Sequence, residues 1–262
     1  LAYWKYDDAT KPGKDSHSWL GRLNNIRTAL QGQQGDRRLR LGIAGGEWKK
    51  MMADATARTR FASEVKKIIE QYDFDGVDFD FEWPTNASEY NNYSATVIQM
   101  RSTLGKYVYF TASLHPVSFK ISPEAIDALD FISYQCYGPA VMRFPYEQFV
   151  KDGEAAVAYG IPKNKLVMGV PFYGSTGSLI AAYCDFVNDG LATTNEDTYT
   201  YKGNTYTFNS IETIRKKARY VCEEDYAGIM SWDLATDIDI TNNKSLLKVI
   251  KEEFEYYANP TE

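Results

Sequence analysis

Short β-like runs alternate with amphipathic segments along most of the chain, and this alternation limits the folds open to it. Six runs rich in Val, Ile, Leu, Phe and Tyr have the composition of buried strands. They are residues 39–44, 75–81, 107–114, 131–137, 165–172 and 227–232. Apolar residues at helical spacing fall between them, as in the segment 61–72. Strands that recur about every 30 residues with intervening helices predict right-handed βαβ units and a parallel sheet.

This repeat favours an α/β fold, and specifically a (β/α)8 TIM barrel rather than an open doubly wound sheet. The glycines of residues 42–46 lack the G-x-G-x-x-G spacing of a dinucleotide-binding loop. A seventh strand candidate at residues 2–5 still leaves the barrel one strand short, so either one strand escapes this pattern or the first β/α unit is missing from this chain. The long interval at about residues 175–208 predicts a small insertion, with Gly203-Asn204 as a hairpin tip.

Composition excludes several classes of protein. The 262 residues are 44% hydrophobic and 24% charged, which predicts one globular domain over residues 1–262. A formal net charge of −6 argues against a nucleic-acid partner, because phosphate binding needs clustered cations. No run approaches the roughly 20 apolar residues of a membrane span. Three cysteines and two histidines are too few and too scattered for a metal site, and we expect no metal and no cofactor.

One predicted strand carries three acidic residues on a single face. In the run Asp75-Gly76-Val77-Asp78-Phe79-Asp80-Phe81-Glu82, side chains alternate across the strand. Asp78, Asp80 and Glu82 therefore share one face, and the apolar side chains between them share the other. The apolar face is expected to pack on outer helices, which directs the acidic face towards the barrel interior.

Three neighbouring carboxylates are costly to ionise together in water-poor surroundings. At least one carboxyl group is therefore expected to keep its proton through a raised pKa, as a general acid must. Glu82 comes last, at the carboxyl end of the strand, where barrel active sites form. A solvated edge strand or a divalent-cation site is the alternative interpretation, and the alternation with Phe and Val weighs against it.

The acidic run resembles the DGxDxDxE motif of glycoside hydrolase family 18, the chitinases and endo-β-N-acetylglucosaminidases. Other segments resemble the family in order and spacing, from the third barrel strand to the eighth. They are LGIAGG at 41–46, the strand at 130–137, KLVMGVPFYG at 165–174 and AGIMSW at 227–232. The resemblance spans nearly the whole chain to about residue 237, and it places residues 2–5 on the second strand of the barrel. It therefore implies that the first β/α unit is missing from this chain.

The resemblance implies a retaining mechanism in which the substrate's own acetamido carbonyl attacks the anomeric carbon. Glu82 would be the acid and then the base, and Asp80 would hydrogen-bond Glu82 and the acetamido N–H. Asp78 would lie deeper and share a proton with Asp80. Tyr137 would support the acetamido oxygen with its hydroxyl, and Gln135 lies two residues earlier on the same face.

Aromatic residues at strand ends are the expected sugar-binding groups. Trp232 matches the family's tryptophan under the cleaved sugar, and Trp4 matches an aromatic position on the second strand. Tyr173 and Trp83 could line the same groove, as could Trp48, and packing in the core or at the rim would explain these three equally well.

Two family positions differ here. The family's Tyr-Asp pair is Tyr137-Gly138 in this chain, and the serine of the family's SxGG motif is Ala44. The expected substrate is a GlcNAc-containing polymer or oligomer of the chitin type. The core of N-glycans is the alternative substrate, and a sugar-binding lectin without turnover is the alternative function. Three Asn-x-Ser sequons and this substrate class favour a secreted, periplasmic or cell-surface protein.

Overall fold

The computed structural model describes residues 16–31, 37–138, 140–191 and 195–259, with the side chains of the first helix described from Leu23 onwards. The chain packs into two compact units. Among the described residues, the first unit contains those up to Leu114 together with Ser118–Ile132, and the second contains His115–Val117 and those from Ser133 onwards. The single domain expected over residues 1–262 stays a prediction.

The first unit alternates helices with three parallel strands. Its elements are α1 (Ser16–Leu30), β1 (Arg40–Ile43), α2 (Trp48–Ala53), α3 (Ala55–Gln71), β2 (Gly76–Phe79), α4 (Ala87–Leu104), β3 (Tyr109–Leu114) and α5 (Pro123–Ala128). The central strand β2 pairs with both neighbours, with Asp78 opposite Gly42 of β1 and opposite Thr111 of β3. The three predicted strands of this unit are thus confirmed, each shorter than predicted.

Side-chain caps fix where the helices of this unit begin. Asp54 accepts a hydrogen bond from the Ala57 N–H at the start of α3, and Asn86 accepts one from the Glu89 N–H at the start of α4. These caps satisfy backbone donors that have no partner within the helix. The loop that follows β2 therefore ends at a fixed point, which limits its freedom near the acidic run.

Strand β4 (Phe131–Tyr134) contains the boundary between the units, and the rest of the chain belongs to the second one. Its elements are α6 (Tyr146–Tyr159), β5 (Leu166–Pro171), β6 (Tyr173–Ser175), β7 (Ile180–Ala182), α7 (Tyr183–Asn188), β8 (Thr198–Tyr201), β9 (Asn204–Thr207), α8 (Ile211–Glu223), β10 (Gly228–Trp232) and α9 (Leu246–Ala258). Strands β5 and β10 pair in parallel and end together at Pro171 and Trp232. The strands predicted at 131–137, 165–172 and 227–232 are confirmed, and each is again shorter than predicted.

The predicted insertion forms a small antiparallel sheet in the order β7-β6-β9-β8. Its tyrosines pack on Phe186 of α7, with ring centroids of Tyr199, Tyr201 and Tyr206 within 5.4 to 5.7 Å of that ring. These rings form a local core, because Phe186 is fully buried.

The tip of this hairpin lies one residue earlier than the sequence predicts. Lys202 and Gly203 form the two-residue turn between β8 and β9, with φ values of 47° and 75°. A tight hairpin turn of this kind needs positive φ at both central residues, and here a lysine adopts the first of them. Asn204 is therefore the first residue of β9.

The candidate strand at residues 2–5 lies outside the described residues, as does Trp4. Among the helices that the structure describes, none has both the length and the apolar character needed to cross a bilayer.

Candidate active site

Strand β2 separates an apolar face from an acidic one, as its alternation predicts. Val77 and Phe79 are fully buried, and Phe81, which follows the strand, is 3% exposed. The Phe79 ring packs on Phe61 of α3 at a centroid distance of 6.0 Å and on Tyr93 of α4 at 6.5 Å. The helices cover this face, so Asp78 and Asp80 must point to the other side of the sheet.

The first two residues of the acidic run hold β2 in place. The Asp75 carboxylate accepts a hydrogen bond of 2.6 Å from the Leu39 N–H, just before β1. Gly76 lies against Tyr109 of β3, where an added Cβ atom would be 2.0 Å from the Tyr109 carbonyl oxygen. A residue with a side chain would not fit there without moving β3.

Asp78 is held by donors from both neighbouring strands. Its Oδ2 accepts a hydrogen bond of 2.9 Å from the Ser113 hydroxyl, and its Oδ1 accepts one from Thr111. The Arg40 guanidinium lies 3.4 Å from Oδ1 and also donates to the Thr111 hydroxyl. The Asp78 side chain is 17% exposed, so this carboxylate is a largely enclosed acceptor with a cation beside it. Proton sharing with Asp80 stays a prediction.

Asp80 and Glu82 differ in their exposure to solvent. Asp80 is half-buried, and its N–H donates to the Ile43 carbonyl oxygen at 2.9 Å, which extends the pairing with β1 beyond β2. Glu82 is exposed to solvent. The expectation that Glu82 lies in water-poor surroundings is therefore wrong for the free protein. The reason is its position, three residues beyond the last residue of β2.

The loop after Glu82 is tied to the first unit. Trp83 is half-buried, the Glu82–Trp83 peptide bond is cis, and the Pro84 carbonyl oxygen accepts a hydrogen bond from the Ser118 hydroxyl. Glu89 of α4 accepts hydrogen bonds from Lys49 at 2.8 Å and from the N–H of Thr85 at 2.8 Å.

These donors affect the ionisation of Glu89. The Lys49 hydrogen bond, with a smaller contribution from Thr85, lowers the pKa of Glu89 to about 2. Glu89 therefore stays ionised and serves as a fixed anchor for the loop.

Trp48 is a core residue, although its sequence position is equally compatible with a place in the sugar groove. It is 5% exposed, and its ring packs on Phe81 and Tyr93 at centroid distances of 5.9 and 6.2 Å. Ala44, at the position of the family's serine, follows β1 and is exposed.

In the second unit, Tyr137 and Gln135 lie just beyond the end of β4, and each is 7% exposed. The Tyr137 hydroxyl donates to Met230 Sδ at 3.4 Å, and its ring meets Tyr173 edge to face at a centroid distance of 6.4 Å. Gly169 of β5 leaves room for this ring, because a Cβ atom there would lie 2.8 Å from Tyr137 Cε1. Tyr137 therefore has a defined position within its unit.

Tyr173 occupies space beside Gly138, the position of the family's aspartate. Gly138 has a φ of 40°, and an added Cβ atom would lie 2.9 Å from the Tyr173 hydroxyl oxygen. Burial raises the pKa of Tyr173 to about 12, so its hydroxyl is neutral and able to donate. A carboxylate side chain at position 138 would collide with this hydroxyl unless one of the two moved.

Trp232 ends β10 and is 52% exposed, and its carbonyl oxygen accepts a hydrogen bond of 2.8 Å from the Phe172 N–H. An exposed indole on a fixed strand end is a platform on which a sugar ring can stack. The peptide bond that follows, Trp232–Asp233, is cis.

Sequence reasoning missed several side chains around these residues. Thr111 and Ser113 lie two residues apart on β3. The alternation of side chains along a strand therefore places them on the same face, but nothing in the sequence pairs them with Asp78. Arg40 and Met230 gave no local signal. In the ranges that the structure describes, no cluster of three His, Cys, Asp or Glu side chains is arranged to hold a metal ion.

A family model described as "Glycosyl hydrolases family 18" matches residues 4–237. The chain belongs to this family. The matched range includes the acidic run of β2 and the strand ends that carry Tyr137, Tyr173 and Trp232.

Two curated relatives with similar sequences are chitinases by name. "Probable chitinase 2" of Drosophila melanogaster is 23% identical across 83% of this chain, and "Class V chitinase" of Arabidopsis thaliana is 24% identical across 75% of it. The alignments cover 60% of the Drosophila protein and 69% of the Arabidopsis protein.

Solved structures agree on the fold. A chitinase from Bacteroides thetaiotaomicron has a TM-score of 0.80 at 23% identity, over 97% of this chain and 86% of that one. The chitinase-like agglutinin of Robinia pseudoacacia has a TM-score of 0.79 at 18% identity, over 97% and 91% of the two chains. Family 18 chitinases are TIM barrels, and the predicted fold class is confirmed.

Proposed function

We propose that this protein hydrolyses β-1,4-linked GlcNAc oligomers or polymers with retention of configuration, and that Glu82 is the acid and base. The observation that carries the proposal is the difference in exposure along the acidic face, between the partly buried Asp78 and Asp80 and the exposed Glu82. Asp78 is enclosed by donors, Asp80 is half-buried and Glu82 reaches solvent. A row of this kind offers one accessible carboxyl group to a substrate and holds the others as fixed charges behind it.

Each acidic residue has a separate task in this proposal. Glu82 protonates the glycosidic oxygen and later removes a proton from water, while the substrate's acetamido oxygen attacks the anomeric carbon. Asp80 orients the acetamido N–H. Asp78, held by Arg40, Thr111 and Ser113, fixes the strand and the negative charge behind Asp80.

The second unit contributes groups that suit a sugar. The Tyr137 hydroxyl would support the acetamido oxygen, and Gln135 would bind beside it. Trp232 would stack under the sugar ring, because its exposed indole provides a flat apolar surface. Tyr173 supplies a neutral hydroxyl beside Gly138, and Trp83 lies next to the acid in sequence.

Solvent exposure of Glu82 has a consequence for the substrate. The sugar itself must displace water from the carboxyl group, so binding energy from further sugar units serves to bring Glu82 into a dry environment. Turnover should therefore rise with oligomer length from the dimer to the pentamer.

The test compares Glu82→Gln with Glu70→Gln, an exposed glutamate of α3 that pairs only weakly with Lys66 at 3.2 Å. Proton NMR of fresh products from the GlcNAc pentamer reports turnover, cleavage position and anomeric configuration. Titration calorimetry with the same oligomer reports binding. We expect the wild type and Glu70→Gln to release β-anomers, and Glu82→Gln to bind without turnover. Cleavage by Glu82→Gln, or release of α-anomers, would refute the assignment.

Each of two other functions would give a distinct result in these assays. Release of glycans from a high-mannose glycoprotein, with no cleavage of the pentamer, would indicate an endo-β-N-acetylglucosaminidase. Binding of the pentamer without product from the wild type would indicate a lectin, which the fold likeness to the Robinia agglutinin and the glycine at position 138 both favour. Because a chitin-type substrate would lie outside cells, we also propose that the protein works in a secreted or surface-exposed form.

A further inference from the structure

His115 is a buried histidine that none of the roles above uses. It directly follows β3, is 1% exposed and packs with the second unit. Its Nε2 lies 3.0 Å from the Tyr137 carbonyl oxygen and 2.6 Å from the Gly138 carbonyl oxygen. On the other side of the ring, the Val117 N–H donates to Nδ1 at 3.2 Å.

These three contacts define the state of the ring. Carbonyl oxygens only accept, so Nε2 must carry a proton, and a backbone N–H only donates, so Nδ1 must be unprotonated. The neutral Nε2–H tautomer satisfies all three contacts at once. Burial also lowers the pKa of His115, which favours the same neutral form of the ring.

The backbone that His115 holds has left the strand ladder. Strand β4 ends at Tyr134, and the Cys136 N–H turns back to the Tyr134 carbonyl oxygen at 2.8 Å. Gly138 then adopts a φ of 40°, a conformation in which a residue with a side chain is strained. Main-chain carbonyl oxygens in such a turn need donors from outside the strand ladder to fix their position. The Nε2–H group of His115 is such a donor for two successive carbonyl oxygens.

The ring of Tyr137 is held by different groups, namely Gly169, Tyr173 and Met230. Its main chain and its ring are therefore fixed by separate contacts. A hydroxyl that stabilises a transition state is effective only within a fraction of an ångström of its productive position.

We propose that His115 is a positioning residue for Tyr137, which it holds in place through the carbonyl oxygens of Tyr137 and Gly138. This inference rests on the proposed function for its kinetic consequence, and on the geometry alone for its structural one. His115 touches the backbone of Tyr137 rather than the substrate, so its effect on catalysis should pass through the Tyr137 hydroxyl.

The kinetic test uses His115→Met, His115→Gln, Tyr137→Phe and the double variant His115→Met/Tyr137→Phe. Methionine fills the space without a donor, whereas the glutamine amide can place an N–H near the position of Nε2. With the GlcNAc pentamer, we expect His115→Met to lower kcat by about tenfold or more while KM changes little. His115→Gln should recover most of that loss. In the Tyr137→Phe background, His115→Met should have no further effect on kcat.

A buried truncation elsewhere in the second unit, Val221→Ala in α8, is the control for lost stability. It should lower the melting temperature without lowering kcat at the assay temperature. The proposal is overturned if His115→Met keeps wild-type kcat, if the effects of the two substitutions multiply in the double variant, or if His115→Gln is as slow as His115→Met.

A second measurement distinguishes failure of this inference from failure of the proposed function. In protein labelled at histidine and tyrosine rings, NMR should show His115 as the neutral Nε2–H tautomer at neutral pH. The Tyr137 ring signals, assigned with Tyr137→Phe, should shift in His115→Met and return in His115→Gln. If the wild type hydrolyses nothing, these spectra still decide the positioning role, and unchanged Tyr137 signals in His115→Met would overturn it.

Discussion

Gly76→Ala is the substitution whose effect follows most directly from the structure. Gly76 stands opposite Tyr109 in the β2–β3 pairing, and an added Cβ atom would lie 2.0 Å from the Tyr109 carbonyl oxygen and 2.6 Å from its Cβ. The next backbone hydrogen bond in the ladder, from the Tyr109 N–H to the Asp75 carbonyl oxygen, is 3.0 Å long. The methyl group can be placed only if the two strands separate.

The size of the effect can be estimated from this overlap. Real Cβ atoms essentially never come within 3.0 Å of such a neighbour, so a contact of 2.0 Å requires a shift of about 1 Å in a packed sheet. Overpacking of this kind costs about 1–3 kcal/mol, and a lost ladder hydrogen bond adds about 1 kcal/mol. We therefore expect Gly76→Ala to lower the free energy of unfolding by about 2–4 kcal/mol, equivalent to about 5–15 °C in melting temperature.

Urea and thermal unfolding, followed by tryptophan fluorescence and far-UV circular dichroism, measure this loss. Gly46→Ala is the matched control, because an added Cβ atom at Gly46 contacts nothing within 4 Å. Both substitutions restrict the unfolded chain equally, so their difference isolates the collision with Tyr109. If Gly76→Ala unfolds within about 0.5 kcal/mol of Gly46→Ala, the argument from close strand approach is refuted.

Two further substitutions test buried polar groups. The Tyr93 hydroxyl is fully buried and has no hydrogen-bond partner within the described part of the chain, so Tyr93→Phe should leave the melting temperature unchanged or raise it; a loss above about 1 kcal/mol would contradict this. Burial lowers the pKa of Lys217 to about 7. Between that pH and the ordinary pKa of lysine, the unfolded chain binds more protons than the folded one. Stability should therefore rise by about 1 kcal/mol per unit between about pH 7 and about pH 8.5, and urea unfolding of Lys217→Met should lack this slope. If the stability of the wild type and of Lys217→Met changes in parallel with pH, the lowered pKa of Lys217 is refuted.

Local periodicity was sufficient to predict the strands and the two faces of β2. Six strand runs were found within a few residues of their predicted ends, because alternating or continuous apolar runs report burial directly. The same signal separated Phe79 and Phe81 from the acidic side chains. The helix α6 between β4 and β5 was not identified, although its alanine-rich sequence favours helix formation.

Long-range pairing could not be predicted in the same way. The donors to Asp78 come from residues 38 positions earlier and 33 to 35 positions later in the chain, so no local pattern connects them. The role of Asp75 depends on the Leu39 N–H in a neighbouring strand, and that of His115 on two carbonyl oxygens beyond β4. Such contacts depend on the register of the sheet, which the sequence alone leaves open.

Exposure of Glu82 was also predicted wrongly, for a physical reason. The composition of residues 75–81 predicts one strand, but the ladder hydrogen bonds from β1 and β3 end near Asp80. Beyond that point the chain is irregular, and a side chain there is no longer enclosed by neighbouring strands. The prediction was correct about which face carries the acids and wrong about how deeply the last one is buried.

The acidic run therefore divides into two halves with different physical tasks. Asp75 and Gly76 set the pairing of β2 with its neighbours, and Asp78 links the strand to charged and hydroxyl donors on both sides. Of the three carboxyl groups on the acidic face, that of Glu82 is the exposed one, whereas Asp78 and Asp80 are partly buried. Substitutions in the first half should reduce stability and activity together, since they displace the strand. Substitution of Glu82 should remove activity at unchanged stability, because an exposed carboxylate contributes little to folding. A strong loss of stability in Glu82→Gln would mean that this side chain holds the fold rather than the chemistry.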